Sequence, residues 1–153
     1  MKNSYLKRLL QIIFFFVFSG SIYTLIEILY RGYTFFSMFL LGGFCGLFIC
    51  LLNNIFTYEI DFLLQIFLSI IFCTFFEWLV GISINQNYTI WDYRNLIGSV
   101  IPNCQINIFF SIAWGFIAAI GIPILDYIDW KFFKYKEDIK PYYKILEKKI
   151  YFY

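Results

Sequence analysis

The sequence predicts an all-α integral membrane protein: a bundle of four transmembrane helices, a short re-entrant or interfacial segment before the last helix, and an amphipathic C-terminal tail. Three observations carry that prediction. Hydrophobic residues make up 61% of the 153 residues and charged ones 14%, where a soluble domain holds about 45–50% and about 25%. The mean hydropathy is +0.73, more apolar surface than a soluble fold of this length covers. The charges also avoid four stretches of roughly the 20 residues that a helix needs to cross a hydrocarbon core about 30 Å thick.

The four spans fall at residues 9–30, 35–52, 62–84 and 106–125, within a membrane domain of residues 1–126. The first follows Lys2, Lys7 and Arg8 and has two readings, a retained helix or a signal peptide with Ser19, Gly20 and Ser21 near a cleavage point. Apolar character continuing to Tyr30 favours the retained helix. The second and fourth spans carry small residues at four-residue spacing, Gly42 and Gly46 in one and Ser111, Gly115 and Ala119 in the other. Such spacing lets helix backbones approach closely. The contact is either internal to the subunit or the face of a homo-oligomer.

Orientation follows from Lys and Arg near the helix ends. Three lie at the N-terminus and seven in the tail of residues 127–153 (Lys131, Lys134, Lys136, Lys140, Lys144, Lys148 and Lys149), against Arg31 and Arg94 in the connections after the first and third helices. Ten against two places both termini in the cytoplasm, with the protein in a bacterial inner membrane. The connection around Asn53–Asp61, on the same side, has no basic residue. The tail mixes Lys with Ile, Leu, Tyr and Phe, as in an amphipathic helix interrupted at Pro141. Such a helix lies on anionic lipid or docks onto a partner.

Several function classes drop out. The chain has no His, which removes imidazole metal ligation and His-based catalysis. Cys45, Cys50, Cys73 and Cys104 form no C-x-x-C pair, and Cys in apolar segments behaves as a small hydrophobe. No catalytic motif, cofactor or metal site is expected, and no nucleic-acid partner; the lipid bilayer is the partner the composition demands. The aromatic content of 25% reads either as a ligand pocket or as AT-rich codon usage tolerated by lipid.

Ionisable groups inside a span are costly and are functional candidates by default. Glu27 and Glu77 sit within about two turns of the same end of the first and third helices. Glu27 belongs to a face with Ser19, Tyr23 and Arg31 and precedes Arg31 in the favourable i, i+4 order. Glu77 has no basic neighbour in its helix, and its candidate partners are Arg31 and Arg94. The reading is one buried network of Glu27, Arg31, Glu77, Asp92 and Arg94. The long connection, which holds Asn85, Trp91, Asp92, Arg94 and Gln105, lies in the interface or folds back, placing Asn95, Asn103 and Gln105 near the two Glu. The competing reading is a self-neutralised Glu27–Arg31 pair, aromatics in the interfacial belt and a solvated remainder.

Tyr23, Glu27, Arg31, Gly32 and Tyr33, followed by Ser37, Met38, Gly42 and Gly43, resemble the opening of the ABC-transporter type IV (CmpB-like) membrane-protein family. Glu77, Gly81, Asn85, Trp91-Asp92-Tyr93, Gln105-Ile106 and Trp114 resemble its later signature, so the likeness runs from about Gly20 to Leu125. Arg94 stands where the family has Ser, and Cys104-Gln105-Ile106 where it has Gly-Gln-Ile. The resemblance implies a permease-like or accessory subunit working with an ATPase or other transporter subunits. The sequence has no G-x-x-x-x-G-K-[ST] phosphate loop of its own. Two other classes stay open: a membrane scaffold or assembly protein, and an intramembrane enzyme acting on lipid with the two Glu as acid and base.

Overall fold

The computed structural model describes residues 2–56, 58–100, 103–133 and 140–152, with side chains from residue 5 onward. Four helices dominate it: α1 (Lys2–Arg31), α2 (Phe36–Phe56), α3 (Phe62–Ile84) and α4 (Ile108–Ile128), the last continued by a π-helical turn over Asp129–Phe133. Each is long and apolar enough to cross a membrane. The distribution of polarity agrees. Phe36, Phe67, Phe109, Phe116 and Ile120 point outward, whereas Gln11, Asn53, Gln65, Glu77, Asn85, Asp126 and Asp129 are buried. Water favours the reverse, and this is the arrangement of a multi-pass membrane protein.

The helix ends have local causes. Gly32, with φ of 82°, follows α1 and donates its N–H to the Ile28 carbonyl at 2.8 Å, a left-handed cap at which glycine carries no steric cost. Asp61 caps α3 by accepting from the Leu63 N–H at 2.8 Å. Asn107 does the same for α4 through the Phe109 N–H at 2.9 Å, so α4 starts two residues after the position expected from hydropathy. α2 runs on to Phe56 rather than stopping at Leu52, because Asn53 finds a buried partner in Asp126 (2.6 Å).

α1 packs on α2, α3 on α4, and α2 reaches both α3 and α4. The α1–α2 contact is set by missing side chains. A Cβ on Gly46 would lie 2.1 Å from the Ser19 Cβ, and one on Gly42 would lie 2.4 Å from the Tyr23 Cβ. The G-x-x-x-G surface is therefore used inside the subunit. In α4, Gly115 faces Ile70 and Ile66 of α3, Ser111 Oγ donates to its own helix at the Asn107 carbonyl, and Ala119 is half-buried. Cys45, Cys50 and Cys73 are buried free thiols within this packing.

The tail differs from the expected helix. The described helical structure reaches Phe133, and Lys134 and Lys136 lie outside the described residues. Residues Tyr143–Ile145 (β1) and Lys148–Ile150 (β2) form an antiparallel hairpin. Its turn residues Leu146 and Glu147 have φ of 47° and 68°, the signs of a type I′ turn. Partners on the α2–α3 connection explain the outcome. Tyr143 is fully buried against Phe62 at 5.2 Å, the Leu146 N–H donates to Asp61 Oδ2 at 3.0 Å, and Glu59 accepts from Lys144 and Tyr142. Pro141 disfavours helix at the same place. The connection that lacks basic residues thus takes its cations from the tail.

Two outcomes follow. Gly46→Val overpacks the α1–α2 contact and should lower stability by about 1–3 kcal/mol or more, read as the denaturant midpoint in micelles. Gly121→Ala, where a Cβ meets nothing within 4 Å, should be neutral or stabilising by up to about 1 kcal/mol. For the hairpin, the hydrogen bond from Lys144, then that from Tyr142, holds Glu59 below its ordinary 4.5. A depressed folded value means that the contact contributes fully above 4.5 and is lost as pH falls through the lower folded value. Hydrogen exchange of β1 and β2, corrected for intrinsic rate, should speed up over that acid window in the wild type and already be fast at neutral pH in Glu59→Gln.

Candidate functional site

α1 presents Tyr23, Glu27 and Arg31 on one face, α3 presents Glu77, α4 presents Phe110 and Trp114, and the α3–α4 connection adds Trp91 and Tyr93. Together they line a cavity of about 310 Å³ at the end of the bundle where α1 and α3 finish. Glu27 and Glu77 therefore meet one space at similar depth. Arg31 Nη2 donates to Glu27 Oε2 at 2.8 Å, and Thr34 Oγ1 donates to the same oxygen at 2.7 Å. Arg31 Nη1 also donates to the Ile90 carbonyl, which ties the end of α1 to the connection.

Glu77 is 2% exposed, and each of its oxygens has a neutral donor. Tyr93 Oη donates to Oε1 at 2.7 Å, and Trp114 Nε1 donates to Oε2 at 3.1 Å. The expected arginine partner is replaced by a phenol and an indole. Arg31 is committed to Glu27 and a carbonyl, and Arg94 folds onto Asp92. Aromatic stacking fixes both donors. The Tyr23 and Trp114 rings lie 4.9 Å apart and 6° from parallel, and Tyr93 stacks on Phe110 at 5.0 Å and 15°.

Asp92 and Arg94 stand outside the cavity as an exposed pair. Arg94 Nη2 and Nε donate to the two Asp92 oxygens at 2.7 and 2.9 Å, and Arg94 covers the Tyr88 ring at 4.2 Å. Hydrogen bonds from the Arg94 side chain and backbone pull the Asp92 carboxyl down to about 2. The expected five-residue network is therefore two separate groups, because the connection turns residues 92 and 94 outward while 91 and 93 point in.

Asn85 and Gln105 hold the connection rather than line the cavity. Asn85 Nδ2 donates to the Trp91 carbonyl at 2.8 Å and to Gln105 Oε1 at 3.0 Å, and Asn85 Oδ1 accepts from the Ile90 N–H at 2.8 Å. Gln105 Nε2 donates to the Asn85 carbonyl at 3.1 Å, and Trp91 Nε1 to the Gln105 carbonyl at 3.2 Å. Gln105 lies against Gly81, where a Cβ would come within 2.7 Å of it. Asn95 and Asn103 are exposed and do not join the two Glu. The segment folds back on itself, with Ser99 bridged to Asn107, and leaves Leu96, Ile97 and Val100 exposed.

A second polar cluster, at the opposite end, was missed from sequence. Asn53 Nδ2 and Tyr143 Oη both donate to Asp126 Oδ2, at 2.6 and 2.8 Å, and Gln11 Nε2 donates to Asp129 Oδ1. Both carboxylates are buried. With the last span ending at Leu125, both lie beyond it, Asp126 at the edge of the membrane domain and Asp129 in the tail. Gln11 and Asn53 within apolar runs were the available signal. Among the described residues no group of three or more His, Cys, Asp or Glu could hold a metal ion.

No family model, curated protein or solved structure matches this chain.

Asn85→Leu removes the acceptor of the Ile90 N–H and the donor to the Trp91 carbonyl and to Gln105 Oε1, each buried, at about 1–3 kcal/mol per group left unpaired. Asp92→Asn breaks only the exposed pair and should leave the unfolding midpoint unchanged. Tryptophan-detected unfolding of the two variants in micelles checks the contrast.

Proposed function

We propose that this chain is a permease-like or accessory membrane subunit of a transport system, and that the Glu27–Arg31–Glu77 cavity is its ligand site. One observation carries the reading. Two carboxylates from different helices line one aromatic-walled space of about 310 Å³ inside an apolar bundle, where burying a charge without a use is expensive. The likeness of Tyr23, Glu27, Arg31, Glu77, Asn85 and Trp91-Asp92-Tyr93 to the ABC-transporter type IV (CmpB-like) pattern supports it. On the charge asymmetry of the termini and connections, the protein sits in a bacterial inner membrane with both termini cytoplasmic, and the cavity opens near the outer leaflet. The absence of a phosphate loop from these residues makes an ATPase, a homo-oligomer or both the required company.

A scaffold or assembly role is the second reading, favoured by the complete hydrogen bonding of Glu77 and by the Asn85–Gln105 lattice, which a purely structural cluster also needs. Affinity purification of the tagged chain at natural expression in mild detergent, with mass spectrometry of what accompanies it, separates the two. A Walker-motif ATPase in stoichiometric amount is the expected result. Recovery only with itself, or only with proteins that lack nucleotide-binding motifs, defeats the transport-subunit reading.

A further inference from the structure

A second cavity of about 270 Å³ adjoins the first, sharing Tyr23, Ile26, Trp114 and Ile117 with it, and its walls are almost wholly apolar. It runs between α1 and α4, which pack only sparsely against each other. Ile22 on α1 and Ile120 and Ile124 on α4 line it and are also exposed, so its rim faces the surrounding acyl chains. Gly121 lies along it with open space where a side chain would be. A well-packed interior leaves few voids of this kind, and the volume is nearly twice the roughly 150 Å³ that admits a benzene ring.

The polar cavity has a matching imbalance of charge. Arg31 neutralises Glu27, whereas Glu77 receives only the neutral donors Tyr93 and Trp114. Among the described residues it has no cationic partner. Tyr23, Tyr30, Trp91, Tyr93, Phe110 and Trp114 form much of the remaining wall, and aromatic faces attract cations.

We infer that the two cavities together form one site for a single-chain amphiphile with an amine headgroup, taken from the membrane between α1 and α4. The ammonium group lies among Glu77, Glu27 and the aromatic rings, and the alkyl chain fills the slot beside Gly121. The inference rests on reading the Glu77 cavity as a ligand site and adds the class of ligand.

The full chain in phosphatidylcholine nanodiscs, probed with dodecylamine, dodecanoate and tetramethylammonium by native mass spectrometry and tryptophan fluorescence, tests it. Dodecylamine should bind saturably at one per chain and dodecanoate at least about tenfold more weakly. Gly121→Leu, whose Cβ meets no neighbouring atom within 4 Å, should weaken dodecylamine about tenfold and spare tetramethylammonium. Glu77→Gln should weaken both cations. Tetramethylammonium binding that depends on Glu77, with dodecylamine no tighter, overturns the amphiphile and leaves the cation site standing. Dodecylamine uptake that never saturates, or that neither variant changes, shows simple partition into lipid and overturns the inference. Indifference of both cations to Glu77→Gln also removes the ligand-site reading.

Discussion

Lipid tails are as apolar as leucine, so helices inside a bilayer gain little by hiding hydrophobic surface from it and must associate by close contact. In this protein that contact is the approach of α1 to α2 at Gly42 and Gly46, where a Cβ would lie within 2.4 Å of Tyr23 or 2.1 Å of Ser19. Its consequences extend beyond the pair of helices. With Tyr23 seated over Gly42, its ring lies flat against Trp114 of α4. Trp114, so held, presents its indole N–H to Glu77 of α3. Two absent side chains on α2 thereby position a hydrogen-bond donor for a carboxylate on another helix.

The two ends of the bundle solve the same problem differently. Buried polar groups in a medium without water need partners from the chain itself. At one end the α3–α4 connection supplies them, with Asn85 serving as donor and acceptor to residues five, six and twenty positions away. At the other end the hairpin does so, with Tyr143 reaching Asp126 and Leu146 reaching Asp61. Asp92 and Arg94 satisfy each other on the exposed side, so they add nothing to the interior electrostatics. The interior charge is concentrated at Glu27 with Arg31, at Glu77, and at Asp126 and Asp129.

What the sequence made legible was what hydropathy and helical period encode locally. The four spans, the shared depth of Glu27 and Glu77, the i, i+4 pairing of Glu27 with Arg31, and the close-packing surface at Gly42 and Gly46 all belong to that class. The partners of Glu77 were not legible, because Tyr93 and Trp114 lie 16 and 37 residues away and only the fold brings them in. A charge seeking an opposite charge was the natural expectation. It failed because both arginines had nearer partners. The hairpin was hidden for a related reason: a short run of Lys, Tyr and Ile around Pro141 reads as amphipathic in either period. Contacts with Glu59, Asp61 and Phe62 on a distant connection chose between them. Asp126 and Asp129 were hidden because the apolar run ends at Leu125, one and four residues before them.

The looseness between α1 and α4 follows from the same packing. α1 is committed to α2 by its glycine-facing surface, and α4 is committed to α3 through Gly115 against Ile70. Gly121 shows the result, since its side-chain position meets open space rather than a neighbour. The Tyr23–Trp114 stack is the chief bridge across this gap above the contacts of Phe14 and Phe15 with Phe133. Any shift of α1 relative to α4 must slide or part those two rings. Because Trp114 is also a donor to Glu77, such a shift alters the hydrogen bonding of the carboxylate at the same moment that it widens the apolar slot. The Tyr23–Trp114 stack thus ties the spacing of α1 and α4 to the hydrogen bonding of Glu77.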